Sequence, residues 1–296
     1  MRNFQHNIQT RATKIDKAQN IHEALEIAKG NWNAYPTEIM TANGVDLPNH
    51  KAILRDDNNS PLGIVGSKYE LISNNEAFSF FDTLVADKQA KYKSYQEFDG
   101  GKKVVVTASF NRQAEVRVGD VVESEIKMVN SFDGSTSFQV MFNLLRLVCS
   151  NGMVSRTKEN FVSIRHTKNK SARMQNAFTV LNSASNSWDR FLANCTTMNN
   201  KRIDQKIVEN FINDLLKIDV NEKVSTRKKN IAEQINELVY TGKGNNGSSV
   251  WDLYNASTEY ADHYMGSSDE TRAKSSMFGQ GFNLKARALD LALAIE

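Results

Sequence analysis

The sequence predicts an α+β fold, an antiparallel β-sheet-rich N-terminal half with a helix, followed by a helical C-terminal half. Three observations carry this. Residues 121–129 and 136–148 are two strand-like runs joined by Asn130-Ser131-Phe132-Asp133-Gly134-Ser135, whose Asn, Asp and Gly suit a tight turn, so they form a hairpin. Residues 102–110, Lys-Lys-Val-Val-Val-Thr-Ala-Ser-Phe, add a β-branched strand after the Gly100-Gly101 turn. Beyond Lys168 the strand signal stops, and apolar residues recur at helical spacing.

In chain order, Ile15, Ala18, Ile21, Leu25 and Ala28 give residues 14–29 one apolar face, with Gly30 as a stop, so residues 1–30 read as an N-terminal amphipathic helix. Residues 31–167 form the β-rich core. Between Trp32 and Val65, short apolar groups broken by Pro36, Asn43-Gly44, Pro48 and residues 56–59 predict a meander of strands, with Trp32 and Tyr35 in the core. Ser73 followed by Glu76 predicts a capped helix carrying Ala77, Phe78, Phe81, Leu84 and Val85 inward. Gly119-Asp120 turns the chain into the hairpin. In its second strand Gln139, Asn143 and Arg146 interrupt an apolar run, which predicts one buried face and one partly available face with Arg146 as a cation on a rigid sheet. Residues 168–296 form a helical region packed on the core, with helices over 171–199, 202–218, 226–240, 250–264 and 284–295 and a flexible, protease-sensitive loop at 242–249.

Composition narrows the function. A 40% hydrophobic content suffices for a proper core, and no apolar run is long enough to span a bilayer. The first seven residues lack the apolar stretch of a secretory signal, which predicts a cytoplasmic protein without membrane attachment. Cys149 and Cys195 have no C-x-x-C context and read as buried free thiols. Net charge is only +3, so the placement of charge matters more than its sum.

Several stretches together resemble a known family: Leu62-Gly63-Ile64-Val65-Gly66-Ser67-Lys68-Tyr69, the 130–135 turn, Arg146-Leu147-Val148-Cys149-Ser150-Asn151, Arg165-His166-Thr167, residues 254–263 and residues 279–289. In this order they are similar to the phage/plasmid-like proteins built on domain of unknown function 932, over roughly residues 30–292. The resemblance implies a phage, prophage or plasmid setting, and the host cytoplasm if phage-encoded, but brings no established active site. Phe132 departs from the histidine typical of that family, so any role of that imidazole is absent.

The charge is concentrated. Arg156, Lys158, Arg165, Lys168, Lys170 and Arg173 face the single acid Glu159, and such a run could follow a phosphate backbone, gaining affinity by counterion release. A solvated loop or a protein-docking segment are its alternatives. With Arg146 in support, these residues form the expected nucleic-acid contact set, and Phe138, Phe142 and Phe161 are candidate stacking surfaces set against an ordinary core role. Lys223, Arg227, Lys228 and Lys229 form a secondary basic cluster at a helix start, where the dipole disfavours cations. Glu259, Asp262 and His263, with His166 as a second imidazole, are the most enzyme-like group, though one carboxylate and one histidine on a helix make a salt-bridged structural pair far more often than a site. Walker, G-x-S-x-G and dinucleotide fingerprints are missing, so no catalytic residue, metal or cofactor is predicted.

The leading expectation is a phage- or plasmid-type single-stranded DNA binding or annealing protein, acting as a homo-oligomeric ring or filament, in a layout similar to that of the Redβ-like annealing proteins. A non-catalytic structural or host-interaction protein, and an enzyme using Glu259, Asp262 and His263, are the alternatives.

Overall fold

A computed structural model describes residues 12–154, 161–170, 184–219 and 223–295. Ten strands and nine α-helices are assigned there, in two sheets and a helical half. The small sheet is the expected meander, β2 (Ala34–Thr37), β3 (His50–Arg55) and β4 (Pro61–Gly66), all antiparallel. The large sheet has the order β1-β5-β6-β7-β8-β10, with β1 Thr13–Lys14, β5 Ala90–Phe98, β6 Lys103–Arg117, β7 Asp120–Ser131, β8 Phe138–Arg146 and β10 Phe161–Ile164. The outer side of β8 takes β10 along one half and β9 (Asn151–Val154) along the other.

The expected hairpin is β7–β8, registered from Val122 opposite Arg146 to Val129 opposite Gln139. Cross-strand partners share a face of a sheet. On one face Val106, Met128 and Val140 lie in one row and Ala108, Ile126 and Phe142 in the next, and all are buried. The opposite face is polar, with rows Ser109–Glu125–Asn143 and Thr107–Lys127–Met141. Alternation at period two makes this division, and it leaves charged side chains on a sheet face that is largely covered.

The apolar face joins a hydrophobic cluster running from Ile15 to Ala292. It takes in α1 (Ile21–Ala28), α2 (Asn74–Phe78), α3 (Asp82–Ala86) and most of the helical half. That half comprises α4 (Ala184–Asn200), α5 (Gln205–Leu216), α6 (Thr226–Thr241), α7 (Val250–Glu259), α8 (Asp269–Phe278) and α9 (Gln280–Ala294). Every residue of α7 is buried, so it is the central helix, continued by a π-helical turn over Tyr260–Tyr264. A second apolar cluster, with Phe98, Val105, Met141 and Phe282, fastens α8 and α9 to part of the polar face.

Three elements differ from expectation. The first helix starts at Ile21 rather than residue 14, because the Asn20 side chain accepts the Glu23 N–H (2.9 Å) and so fixes the start, while Thr13–Lys14 pairs with β5. Helix α8 was not anticipated. It begins at the Ser268 cap with Asp269 and Glu270 in its first turn, but buries mainly the small Ala273 and Ser276, which leaves little amphipathic signal. Tyr35 stands at the surface, with its hydroxyl on Asn59 (2.9 Å), whereas Trp32 is core as expected. The Ser73 cap forms as read, its side chain accepting the Glu76 N–H at 3.1 Å.

Gly63 shows how tightly the two sheets meet. A Cβ there would lie 2.6 Å from Asp133 Cα in the hairpin turn, a backbone atom that cannot swing away. Gly63→Ala is therefore expected to destabilise the protein by about 1–3 kcal/mol through overpacking. A fall in the urea midpoint with an unchanged m-value checks it.

Candidate functional site

The stretches that suggested the family meet in two places. The first is a surface groove of about 400 Å³ where β4, the hairpin turn and the end of β10 converge. Its walls are Tyr69, the turn hydroxyls of Ser135, Thr136 and Ser137, and Arg165 with its neighbour His166. The turn is built by Asp133, whose Oδ1 accepts hydrogen bonds from Ser131 Oγ (2.7 Å), Ser135 N (2.9 Å) and Ser135 Oγ (2.6 Å). Burial pushes the Asp133 carboxyl up, but these bonds and Lys103 outweigh it and hold it below the usual carboxylate value. Tyr69 donates its hydroxyl to Ser131 O (2.6 Å) and stacks on His166, with centroids 4.7 Å apart.

Burial drives the His166 pKa down to about 4, so the ring is neutral at pH 7. Its Nδ1 lies 3.2 Å from the Glu70 carbonyl and must carry the hydrogen, since a carbonyl only accepts. Nε2 is then a buried acceptor with no partner. Phe132 is buried against Trp32 at 5.2 Å between centroids and is core.

The expected phosphate contacts divide. Arg165 and Lys168 are exposed and take no hydrogen bond or ion pair among the described residues. Lys170 is committed to Glu76 (2.9 Å) and the Leu71 carbonyl. Arg156, Lys158 and Arg173 lie outside the described residues. Arg146 corrects the sequence reading. It is fully buried, donating to Asp120 at 2.7 and 2.5 Å, to the carbonyls of Lys243 (3.1 Å) and Gly244 (2.9 Å) and to Asn245 Oδ1 (2.9 Å), so no phosphate can reach it. The same bonds pin the 242–247 loop, which is not the slack connector expected. Phe138 and Phe142 are buried in the core and Phe161 packs partly buried on the second cluster, so the two former offer no stacking face.

In the secondary cluster Lys223, Arg227 and Lys229 are exposed. Lys228 instead donates to the Lys217 carbonyl (2.7 Å) at the end of α5, a favourable place for a cation and a structural role the sequence did not reveal.

The second meeting place is internal. Asp262, buried in the π-helical turn, accepts from Lys285 Nζ (2.7 Å), Ser276 Oγ and Gly152 N (2.8 Å). Burial raises its pKa, but Lys285 and the hydrogen bonds win and hold it low. Glu259 instead accepts from Lys243 N (3.1 Å), and burial raises its pKa. His263 Nε2 turns to the Cys149 carbonyl (3.0 Å), and burial lowers its pKa. Glu259, Asp262 and His263 therefore serve three separate partners, which undoes the shared catalytic face expected from their spacing. Among the described residues no group of His, Cys, Asp or Glu is arranged to hold a metal ion. Cys149 and Cys195 are buried and free, and burial pushes the Cys149 thiol up to about 12, which makes it inert.

Beside Asp262 the polar sheet face borders a small cavity of about 40 Å³, lined by Glu125, Lys127 and Gly152 among others. Sequence reading passed over Lys127 and Lys285 because each sits inside an apolar segment. The clue was Glu123, Glu125 and Lys127 at alternate positions of one strand, a charged face where a core face would be apolar.

Among the described residues no helix is long and apolar enough to cross a membrane. No curated protein and no solved structure matches the chain. The model of the family described as a domain of unknown function, DUF932, matches residues 61–287, which spans both meeting places and most of the sequence, and the chain belongs to that family.

Proposed function

We propose that the protein binds nucleic acid, single-stranded DNA in the first instance, at the surface groove, in a phage or plasmid setting such as annealing during recombination or replication. The observation that carries this reading is the groove itself. Arg165, exposed and with no side-chain partner among the described residues, stands beside a row of hydroxyls and a stacked Tyr69–His166 pair whose Nε2 lacks a donor, and the exposed Lys168 follows three residues on. Guanidinium and hydroxyl groups are the ordinary partners of phosphate and sugar. Strand annealing needs no catalytic residue, and a repeating subunit, in a ring or filament, would carry many nucleotides at once.

Fluorescence anisotropy with labelled single- and double-stranded oligonucleotides across a salt series tests it, with particle size measured in parallel. Each single-strand phosphate contact contributes a slope of about −0.7 in log affinity against log salt. Arg165→Ala and Lys168→Ala are each expected to flatten the slope by about 0.7 and to weaken all sequences alike. An unchanged slope in the folded double variant would reject this groove and point to Lys223, Arg227 and Lys229. No affinity at low salt would reject nucleic-acid binding altogether.

A further inference from the structure

We propose that the internal cavity is a second binding site, which takes the phosphate or carboxylate group of a small molecule between the ammonium groups of Lys127 and Lys285, over Gly152. The inference is independent of the nucleic-acid reading.

The geometry around Gly152 defines the seat. A Cβ built on Gly152 would lie 3.6 Å from Lys127 Nζ, 3.7 Å from Lys285 Nζ and 3.8 Å from Asp262 Oδ2. All three groups thus border one small volume, which glycine leaves open. Around the cavity the three amines Lys93, Lys127 and Lys285 balance the three acids Glu123, Glu125 and Asp262 in number, but their pairing does not. Lys93 holds both Glu123 (3.2 Å) and Glu125 (2.6 Å), and Lys285 is paired with Asp262. Lys127 is left half-buried, without a hydrogen bond or ion pair among the described residues. A partly desolvated ammonium without a partner is costly, and an anion at the Gly152 seat would supply one.

One further observation favours an occupied seat. Burial, with Lys127 adding to it and Asp262 opposing, lowers the Lys285 pKa, and an anion between the two amines would relieve that like-charge repulsion. At about 40 Å³ the cavity has room for a small anionic group, not for a polynucleotide strand.

Isothermal titration calorimetry of the full chain with sodium phosphate, and separately with sodium acetate, at constant ionic strength, tests the proposal. One anion per chain is expected to bind, and the tighter of the two identifies the ligand group as phosphoryl or carboxylate. Lys127→Met should bind at least tenfold more weakly, the loss of one charge-assisted contact. Gly152→Ala should bind more weakly too while folding normally, since its methyl occupies the seat at ordinary contact distances and the position needs no left-handed backbone. Arg165→Ala should bind the anion as wild type does. The proposal is overturned if neither anion binds, or if Gly152→Ala and Lys127→Met, both shown folded by circular dichroism, bind as tightly as wild type. Loss of anion binding in Arg165→Ala would also overturn it, because that would place the site in the surface groove.

Discussion

Arg146→Ala is expected to lower the unfolding free energy by about 3–5 kcal/mol, the range for removing one partner of a buried ion pair. Four groups lose a partner together. Asp120 keeps Arg117 at 3.3 Å and the Trp251 indole N–H at 2.8 Å, but both oxygens lose the guanidinium fork. The Lys243 and Gly244 carbonyls and the Asn245 side chain lose the donor that holds their loop. Arg146→Lys should recover less than half of the loss, because one ammonium cannot reproduce a planar fork facing a carboxylate on one side and a loop on the other. Urea denaturation measures the difference, and limited proteolysis localises it. The wild-type loop at 242–249 should resist cleavage, whereas Arg146→Ala should be cut there first. Arg165→Ala, which removes an exposed and unpaired cation, should stay within about 0.5 kcal/mol of wild type. Equal stability of the two variants would show that Arg146 is not the link between sheet and helices.

The contrast between these arginines marks how far the sequence could be read. The hairpin, the β6 strand, the Ser73 cap and the helical half all follow from local signals, such as period-two or helical spacing, turn residues and a cap within three positions. Those signals are complete within a dozen residues. The role of Arg146 depends on Asp120, 26 residues earlier, and on a loop about a hundred residues later, so its spacing within β8 could not distinguish a sheet-borne surface cation from a buried crosslink. Lys228 is similar: its own helix start disfavours it, and its partner is the end of a different helix. Glu259, Asp262 and His263 failed differently. Four-residue spacing allows side chains to share one face, but the three turn to partners on different segments: Glu259 to the Lys243 N–H, Asp262 to Gly152 and Lys285, and His263 to the Cys149 carbonyl. The two meeting places were legible as sequence stretches, though the stretches did not say which would converge. The β4 end, the hairpin turn and Arg165-His166 come together because β10 pairs with β8 beside the turn.

Lys285→Met is expected to cost about 3–5 kcal/mol at neutral pH, since it leaves the buried Asp262 carboxylate without its countercharge. The second variant to make is Lys285→Met/Asp262→Asn. It removes both charges and keeps an amide oxygen to accept the Gly152 N–H, which now binds Asp262 Oδ2 at 2.8 Å. The double variant should be more stable than the single one, with a coupling energy of about 2 kcal/mol between the two positions, inside the range for residues in contact. The pH dependence of the two proteins should have opposite sign. In wild type the Asp262 pKa lies below its ordinary 3.8, so the unfolded chain binds its proton first as pH falls. The carboxylate's contribution is therefore present above that unfolded value and is lost as pH drops through the lower folded one. In Lys285→Met the cation is gone and burial, the largest influence, is opposed mainly by the Ser276 and Gly152 hydrogen bonds, which is expected to raise the folded pKa above the unfolded value. The folded state then takes the proton first, and this variant should gain stability relative to wild type as pH is lowered from 7 toward 4. Denaturation midpoints of wild type, Lys285→Met and the double variant at pH 7, 5.5 and 4 decide the matter. A single variant whose deficit stays constant across that range would mean that the folded pKa of Asp262 is not raised by the loss of Lys285, and that Lys285 acts through packing of its carbon chain rather than through its charge.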